Sequence, residues 1–204
     1  NISVQFPFGY GLSYTTFEYS NLKVSQNQAT FCIKNTGIRD GAEVVQLYIH
    51  AKDSDVYRPF KELKGFTKVF LKAGEEKELT ITLDDKAFRY YNTGNSQWEV
   101  EEGEYEILIG ASSKEIRLKK TIFIKGSKAK LWYEKDSMKP YYTGQIQTIS
   151  DREFECLLGR QIPNRRWNEQ GLLDVNDALC QMYYAKSGLA RLAYKILHTL
   201  KVRS

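Results

Sequence analysis

Between residues 17 and 125, large apolar residues recur at every second position in short runs, and each run is closed by glycine, asparagine or aspartate. Phe17, Tyr19, Leu22 and Val24 form the first run, and Phe31 and Ile33 alternate with Cys32 and Lys34 in the second. A period of two buries one face of a strand and wets the other. Asn35-Thr36-Gly37 and Asp40-Gly41 bracket a turn that returns into Val44-Val45-Gln46-Leu47-Tyr48-Ile49. Lys64 to Leu71 then turns through Ala73-Gly74 into Leu79, Ile81 and Leu83. Two more reversals, at Asn92-Thr93-Gly94-Asn95 and Glu102-Gly103, flank Trp98 and Val100 on one strand and Tyr105, Ile107 and Ile109 on the next. Trp98, alternating with Val100, is read as core. A last strand runs through Ile116, Leu118, Ile122 and Ile124. Seven or more short strands without intervening helices predict a sandwich of two sheets.

The period changes after Gly126-Ser127. Residues 128–149 are polar and tyrosine-bearing and read as a connection. Ser150-Asp151-Arg152-Glu153 is a capping box ahead of Phe154, Leu157 and Leu158, so a short helix is predicted there, stopped by Pro163. Asp174 or Asn176 is expected to cap a helix through Ala178, Leu179, Met182 and Tyr183, and Ser187 a longer one. In that last helix Leu189, Leu192, Ile196, Leu197 and Leu200 recur at three and four residues, with Arg191, Lys195 and Lys201 off the stripe. The stripe is expected to pack on the preceding helix around Leu179 and Met182, and on the sandwich or a second copy of the chain. The predicted organisation is a linker over 1–16, a sandwich over 17–126, a connection over 127–149 and a helical extension over 150–204.

The first sixteen residues do not fit either period. Phe6-Pro7-Phe8-Gly9-Tyr10-Gly11-Leu12-Ser13-Tyr14 crowds four aromatics among two glycines and a proline, which predicts an extended crossing segment laid on an apolar surface. A free terminus is usually polar and mobile. The chain is therefore expected to be part of a longer protein, with this segment joining it to what precedes.

With Thr15-Thr16-Phe17, that stretch resembles the approach to the C-terminal fibronectin type III-like domain of glycoside hydrolase family three, the β-glucosidases and β-xylosidases. The resemblance continues through Asn35-Thr36-Gly37, the run from Asp40 to Tyr48, Arg58-Pro59-Phe60-Lys61-Glu62-Leu63-Lys64-Gly65-Phe66, Gly103-Glu104-Tyr105 and Ile109-Gly110-Ala111-Ser112-Ser113. It covers about residues 2 to 125. Ala73 departs from it, standing where these domains usually place a proline. The tail, notably Ser150 to Pro163 and Asn176 to Leu200, resembles the extension of some longer members, in which the chain continues further. The resemblance implies a mainly β, immunoglobulin-like or fibronectin type III-like sandwich with a small α-helical extension. It further implies a non-catalytic accessory domain that braces the catalytic domains of the same parent chain, a β-glucosidase-like enzyme. In that role Phe6, Phe8, Tyr10 and Tyr14 make the interdomain contact, and Tyr57, Arg58 and Phe60 approach a neighbouring domain or the active-site rim. The family's nucleophile lies in a preceding barrel, so no catalytic residue carries over. An autonomous carbohydrate-binding module and a protein-interaction domain using the amphipathic tail are the alternatives.

Composition narrows the chemistry. Residues 1–126 hold 17 Lys and Arg against 17 Asp and Glu, so the net +5 falls on residues 127–204. Its bases are scattered, which reads as a solvated helix face and not as a nucleic-acid surface. No apolar run nears the roughly 20 residues of a membrane span, and no membrane partner is expected. Cys32, Cys156 and Cys180 are dispersed and odd in number, which argues against a disulfide framework and favours a cytoplasmic location. His50 and His198 are the only imidazoles and stand apart, so neither a metal nor another cofactor is expected. Glu99, Glu101, Glu102, Glu104 and Glu106 crowd one hairpin, and paired carboxylates are what glycoside hydrolysis needs. Five within eight positions read as a wet face.

Overall fold

The computed structural model describes residues 4–84, 86–128, 131, 133–162 and 179–203. Nine strands fill the first part: β1 Phe17–Val24, β2 Gln28–Asn35, β3 Gly41–Ala51, β4 Glu62–Leu71, β5 Glu76–Thr82, β6 Arg89–Asn92, β7 Gln97–Val100, β8 Gly103–Gly110 and β9 Ile116–Ile124. One sheet has the order β1-β2-β5 and the other β4-β3-β8-β9, every pairing antiparallel, while β6 and β7 form a separate hairpin. The chain is mainly β, a two-sheet sandwich followed by small helices, as the alternating runs predict.

The core lies between the sheets. Ala29, Phe31 and Ile33 of β2 and Ile81 of β5 meet Val45, Leu47 and Ile49 of β3, Val69 and Leu71 of β4, and Tyr105, Ile107 and Ile109 of β8. Each fully buried large side chain contributes roughly 1.5–3 kcal/mol. Strand β3 departs from simple alternation, because every residue from Val45 to Ile49 is buried. Gln46 and Tyr48 point away from the core cluster and are covered on the outer face. Gly9 lies against Gln46 there, and the Lys61 ammonium stands over the Tyr48 ring.

Asn35 is a buried polar knot at the end of β2. Its Oδ1 accepts from the Thr15 hydroxyl at 2.6 Å and from the Gly37 amide at 3.1 Å. Its Nδ2 donates to the carbonyls of Arg39 at 2.8 Å and Leu71 at 3.1 Å. Four bonds use the whole donor and acceptor capacity of one amide. They tie together the N-terminal segment, the turn after β2 and the end of β4.

Trp98 is not in the core. It is 58% exposed, because β6 and β7 stand outside the two sheets and their register sets Tyr91 opposite Trp98 on the open side. Phe88 and Tyr90 are the buried aromatics of this region.

The expected connection folds back on the loop between β3 and β4. The Tyr57 amide donates to the Tyr133 hydroxyl at 2.9 Å, and the Tyr142 hydroxyl donates to the Asp55 carbonyl at 2.9 Å. Helix α1, Lys139–Thr143, brings Tyr141 and Tyr142 edge-on to Tyr57. Helix α2, Asp151–Leu158, starts at Ser150 in a capping box and stops at Gly159 in the left-handed region. Compactness divides the chain into residues 1–159 and 160–204, so α2 groups with the sandwich, whereas the sequence reading began the helical extension at residue 150.

In the second unit a 3-10 turn, Leu179–Tyr184, precedes helix α3, Gly188–Arg203. The Ala190 amide reaches the Ser187 hydroxyl at 3.4 Å, the expected cap. The aliphatic stripe of this helix is largely open. Leu189, Leu192, Ile196, Leu197 and Leu200 all stay exposed, Leu189 by 80%. The turn meets the helix through Tyr183 and Tyr194 instead, their rings 5.7 Å apart. At about 100° per residue, Tyr194 lies on the side opposite Leu192 and Ile196. Leu192 of the stripe lines the groove by Tyr183 and Tyr184 together with Arg191 and Lys195. The predicted stop at Pro163 and caps at Asp174 and Asn176 lie outside the described residues.

Candidate functional site

Two neighbourhoods of the sandwich gather the residues singled out from the sequence. The first is the N-terminal segment. Pro7 and Tyr10 close a turn, the Tyr10 amide donating to the Pro7 carbonyl at 2.9 Å. Gly9 at its centre has φ +83°, and a Cβ there would fall 1.9 Å from Gln46 Nε2. Only glycine satisfies both the left-handed backbone and the close approach. The Ser113 amide donates to the Phe8 carbonyl at 2.8 Å. Gln46 in turn donates to the Ala111 carbonyl at 3.2 Å and accepts from the Tyr48 hydroxyl at 2.5 Å. Further on, Thr15 reaches Asn35, and the Thr36 amide donates to the Thr16 carbonyl.

The backbone of this segment is therefore fastened at both ends while its rings face out. Phe6, Phe8, Tyr10 and Tyr14 are all more than half exposed, Tyr14 by 93%. Only Phe6 and Tyr10 touch each other, with ring centroids 5.2 Å apart.

The second neighbourhood is the Arg58 loop. Arg58 donates through Nε and Nη2 to one oxygen of Glu62, at 3.0 and 2.6 Å, and Lys64 takes the other oxygen at 2.8 Å. Burial alone would raise the Glu62 pKa. Lys64 and Arg58 outweigh it and hold the carboxyl below its ordinary 4.5. Phe60 stacks on the His50 ring at 4.1 Å, and its carbonyl meets His50 Nδ1. Tyr57, expected to reach outside the sandwich, meets Tyr141 and Tyr142 of the segment that follows it. Arg58 and Tyr57 line a cleft of about 570 Å³ that also takes in Lys64, Lys86, Tyr91 and Trp98. Phe60 is not part of that lining, so the structure separates the three predicted rim residues. Trp98 meets Tyr91 edge-on and carries the Arg89 guanidinium over its face at 4.7 Å.

The crowded carboxylates have structural partners. Glu101 is buried and accepts from the Ser54 hydroxyl and the Asp55 amide, which corrects its reading as part of a wet face. Glu99 gathers Tyr90, Asn92 and Asn95, Glu104 pairs with Lys52, and Glu106 with Lys119. Asn92, Asn95 and Tyr90 hold the Glu99 carboxyl below its usual range, the protonation state of a hydrogen-bonded anchor. Among the described residues no group of three or more His, Cys, Asp and Glu side chains could hold a metal ion, and no helix is long and apolar enough to cross a membrane.

Gln46 is the functional-face residue that pattern reading missed. Its signal was a lone amide inside the apolar run from Val44 to Ile49.

Comparison with known proteins places these features. Residues 43–113, from β3 past β8, match the model of the fibronectin type III-like domain. Thermostable β-glucosidase B of Acetivibrio thermocellus is 52% identical over 125 residues, which is 57% of this chain and 17% of the relative. Exo-α-(1→6)-L-arabinopyranosidase of Bifidobacterium longum is 49% identical over 119 residues, 56% of this chain and 16% of that protein. Among solved structures, the β-glucosidase of Kluyveromyces marxianus in complex with glucose matches 60% of this chain at 46% identity and a TM-score of 0.56, using 16% of its own length. The GH3 β-glucosidase of Bifidobacterium adolescentis matches 94% of the chain at 28% identity and a TM-score of 0.58, using 23% of its own. The chain thus spans about a sixth of the curated relatives. It contains a fibronectin type III-like domain homologous to part of the glycoside hydrolase family three β-glucosidases.

Proposed function

We propose that this chain is a non-catalytic accessory domain of a β-glucosidase-like glycoside hydrolase, and that it braces the catalytic domains of the same polypeptide through Phe6, Phe8, Tyr10 and Tyr14. The observation that carries the reading is the N-terminal segment, whose backbone packs on Gln46 and is bonded to Ser113 and Thr36 while its rings stay open. A loose tail would not hold rings in fixed positions, and a segment of the domain's own core would bury them. Relatives roughly three and a half to four times as long, three of which are named as β-glucosidases, supply the rest of such an enzyme. The engagement of Glu99, Glu101, Glu104 and Glu106 in local bonds supports a scaffold role for this part. The dispersed cysteines support a cytoplasmic setting.

The test has two arms. The isolated chain should not turn over aryl β-glucosides, and activity that survives purification but disappears on substituting a carboxylate within 99–106 would refute the reading. In the full parent protein, Phe8→Ala should lower thermal stability several times more than in this chain. Equal losses in both would assign the ring to the domain's own core.

A second reading rests on α3. Its exposed aliphatic stripe, from Leu189 to Leu200, supports a role for the tail in docking another protein surface or a second copy of the chain.

A further inference from the structure

The cleft beside Arg58 holds more positive charge than its own carboxylate neutralises. Arg58, Glu62, Lys64, Lys86, Tyr91 and Trp98 all line it. Glu62 serves two cations at once, Arg58 on one oxygen and Lys64 on the other, so this triad keeps one net positive charge. Both cations are largely withdrawn from water, their side chains 9% and 17% exposed. The Arg58 guanidinium lies beside the Tyr105 hydroxyl, whose own proton goes to the Glu101 carbonyl. The guanidinium also donates to that hydroxyl oxygen, and its Nη1 is shut off from solvent. Lys86 adds a further ammonium to the lining. The other nearby carboxylate, Glu99, is occupied by Asn92, Asn95 and the Tyr90 hydroxyl.

The rest of the lining is aromatic. Trp98 and Tyr91 are exposed and fixed edge to face, and the Arg89 guanidinium over Trp98 holds the indole in place. Flat, immobilised ring faces suit the C–H face of a pyranose. A neutral sugar presents hydroxyls that donate as well as accept, and Glu62, already accepting three bonds, leaves little acceptor capacity for them. Donors and net charge favour an anion; ring faces favour a sugar. We propose that this cleft binds a sugar carboxylate, a uronate whose ring lies on Trp98 and whose carboxylate is taken by Arg58, Lys64 and Lys86. This assignment stands apart from the bracing contact of Phe6, Phe8, Tyr10 and Tyr14 and uses none of those four residues.

The experiment is a titration of this chain with sodium glucuronate, glucose and sodium acetate, followed through the indole ¹H–¹⁵N signal of Trp98, assigned with Trp98→Phe. Glucuronate should give a saturable shift with a dissociation constant at least about tenfold below those of glucose and acetate, and binding should weaken as salt is added. Lys64→Gln should weaken it about tenfold, the effect of one charge-assisted bond, and Lys120→Gln, outside the cleft, should not. Should Lys64→Gln lose the dispersed spectrum of the folded chain, Lys86→Gln takes its place. No saturable shift, an equal response to glucose or to acetate, or binding that survives Trp98→Ala when followed through the backbone amides of Arg89 and Tyr91, would each overturn the proposal. None of these outcomes bears on the bracing role.

Discussion

Single polar side chains decide which parts of this sandwich are joined. Asn35→Ala would leave the Leu71 and Arg39 carbonyls, the Gly37 amide and the Thr15 hydroxyl without their partner. Each buried group left unsatisfied costs about 1–3 kcal/mol, so a loss of at least about 2–3 kcal/mol in denaturant unfolding is expected. Glu62 gives a pH-dependent case. Lys64 and Arg58 keep its carboxyl ionised in the folded chain below the ordinary 4.5, so its stabilisation is complete above that value. It is lost as pH falls through the depressed folded value. Glu62→Gln should therefore cost on the order of 2 kcal/mol at neutral pH, and its gap to the parent should close as the pH of the melts is lowered below about 4.5. At this scale the sequence was only partly legible. The Asn35-Thr36-Gly37 turn is plain from its residue types, but the bonds to Thr15 and Leu71 span 20 and 36 residues and leave no local trace. Glu101 looked like its exposed neighbours because the loop that covers it, at Ser54 and Asp55, lies 46 and 47 positions earlier.

Among the elements, the strands were readable because one buried and one wet face impose a period of two on the residues themselves. Where an element has some other neighbour, the period misleads. Trp98 alternates with Val100 as a core residue would, yet its hairpin belongs to neither sheet and the ring faces out. Helix α3 has the stripe of a packed helix, yet its five aliphatics stay open while Tyr194, off the stripe, meets Tyr183 of the turn. The N-terminal segment separates backbone from side chain, and two substitutions should show it. Tyr10→Ala removes an exposed ring and should cost under about 1 kcal/mol in thermal unfolding. Gly9→Ala sets a Cβ into Gln46 at positive φ, and should cost more than about 1 kcal/mol and alter the amide signals of Gln46, Ala111 and Ser113.

For the molecule as a whole, the sandwich and the tail make different demands on a partner. Ile196 is 53% exposed, so Ile196→Asp should leave the melting temperature of the chain unchanged. A lower solution mass in the same variant would show that a second copy had occupied the stripe. The Asn35 knot also bears on time. Strand β2 pairs with β5 from Gln28↔Thr82 to Lys34↔Glu76, so the smaller sheet closes only across some forty to fifty residues, the kind of topology that folds in milliseconds to seconds. The Asn35 amide finds all four partners only after that closure has brought β4 and the N-terminal segment alongside. It is a bolt thrown late. An Asn35→Ala variant should refold at nearly the parent rate and come apart faster, by roughly thirtyfold or more for the 2–3 kcal/mol lost, the kinetic signature of an interaction absent from the transition state.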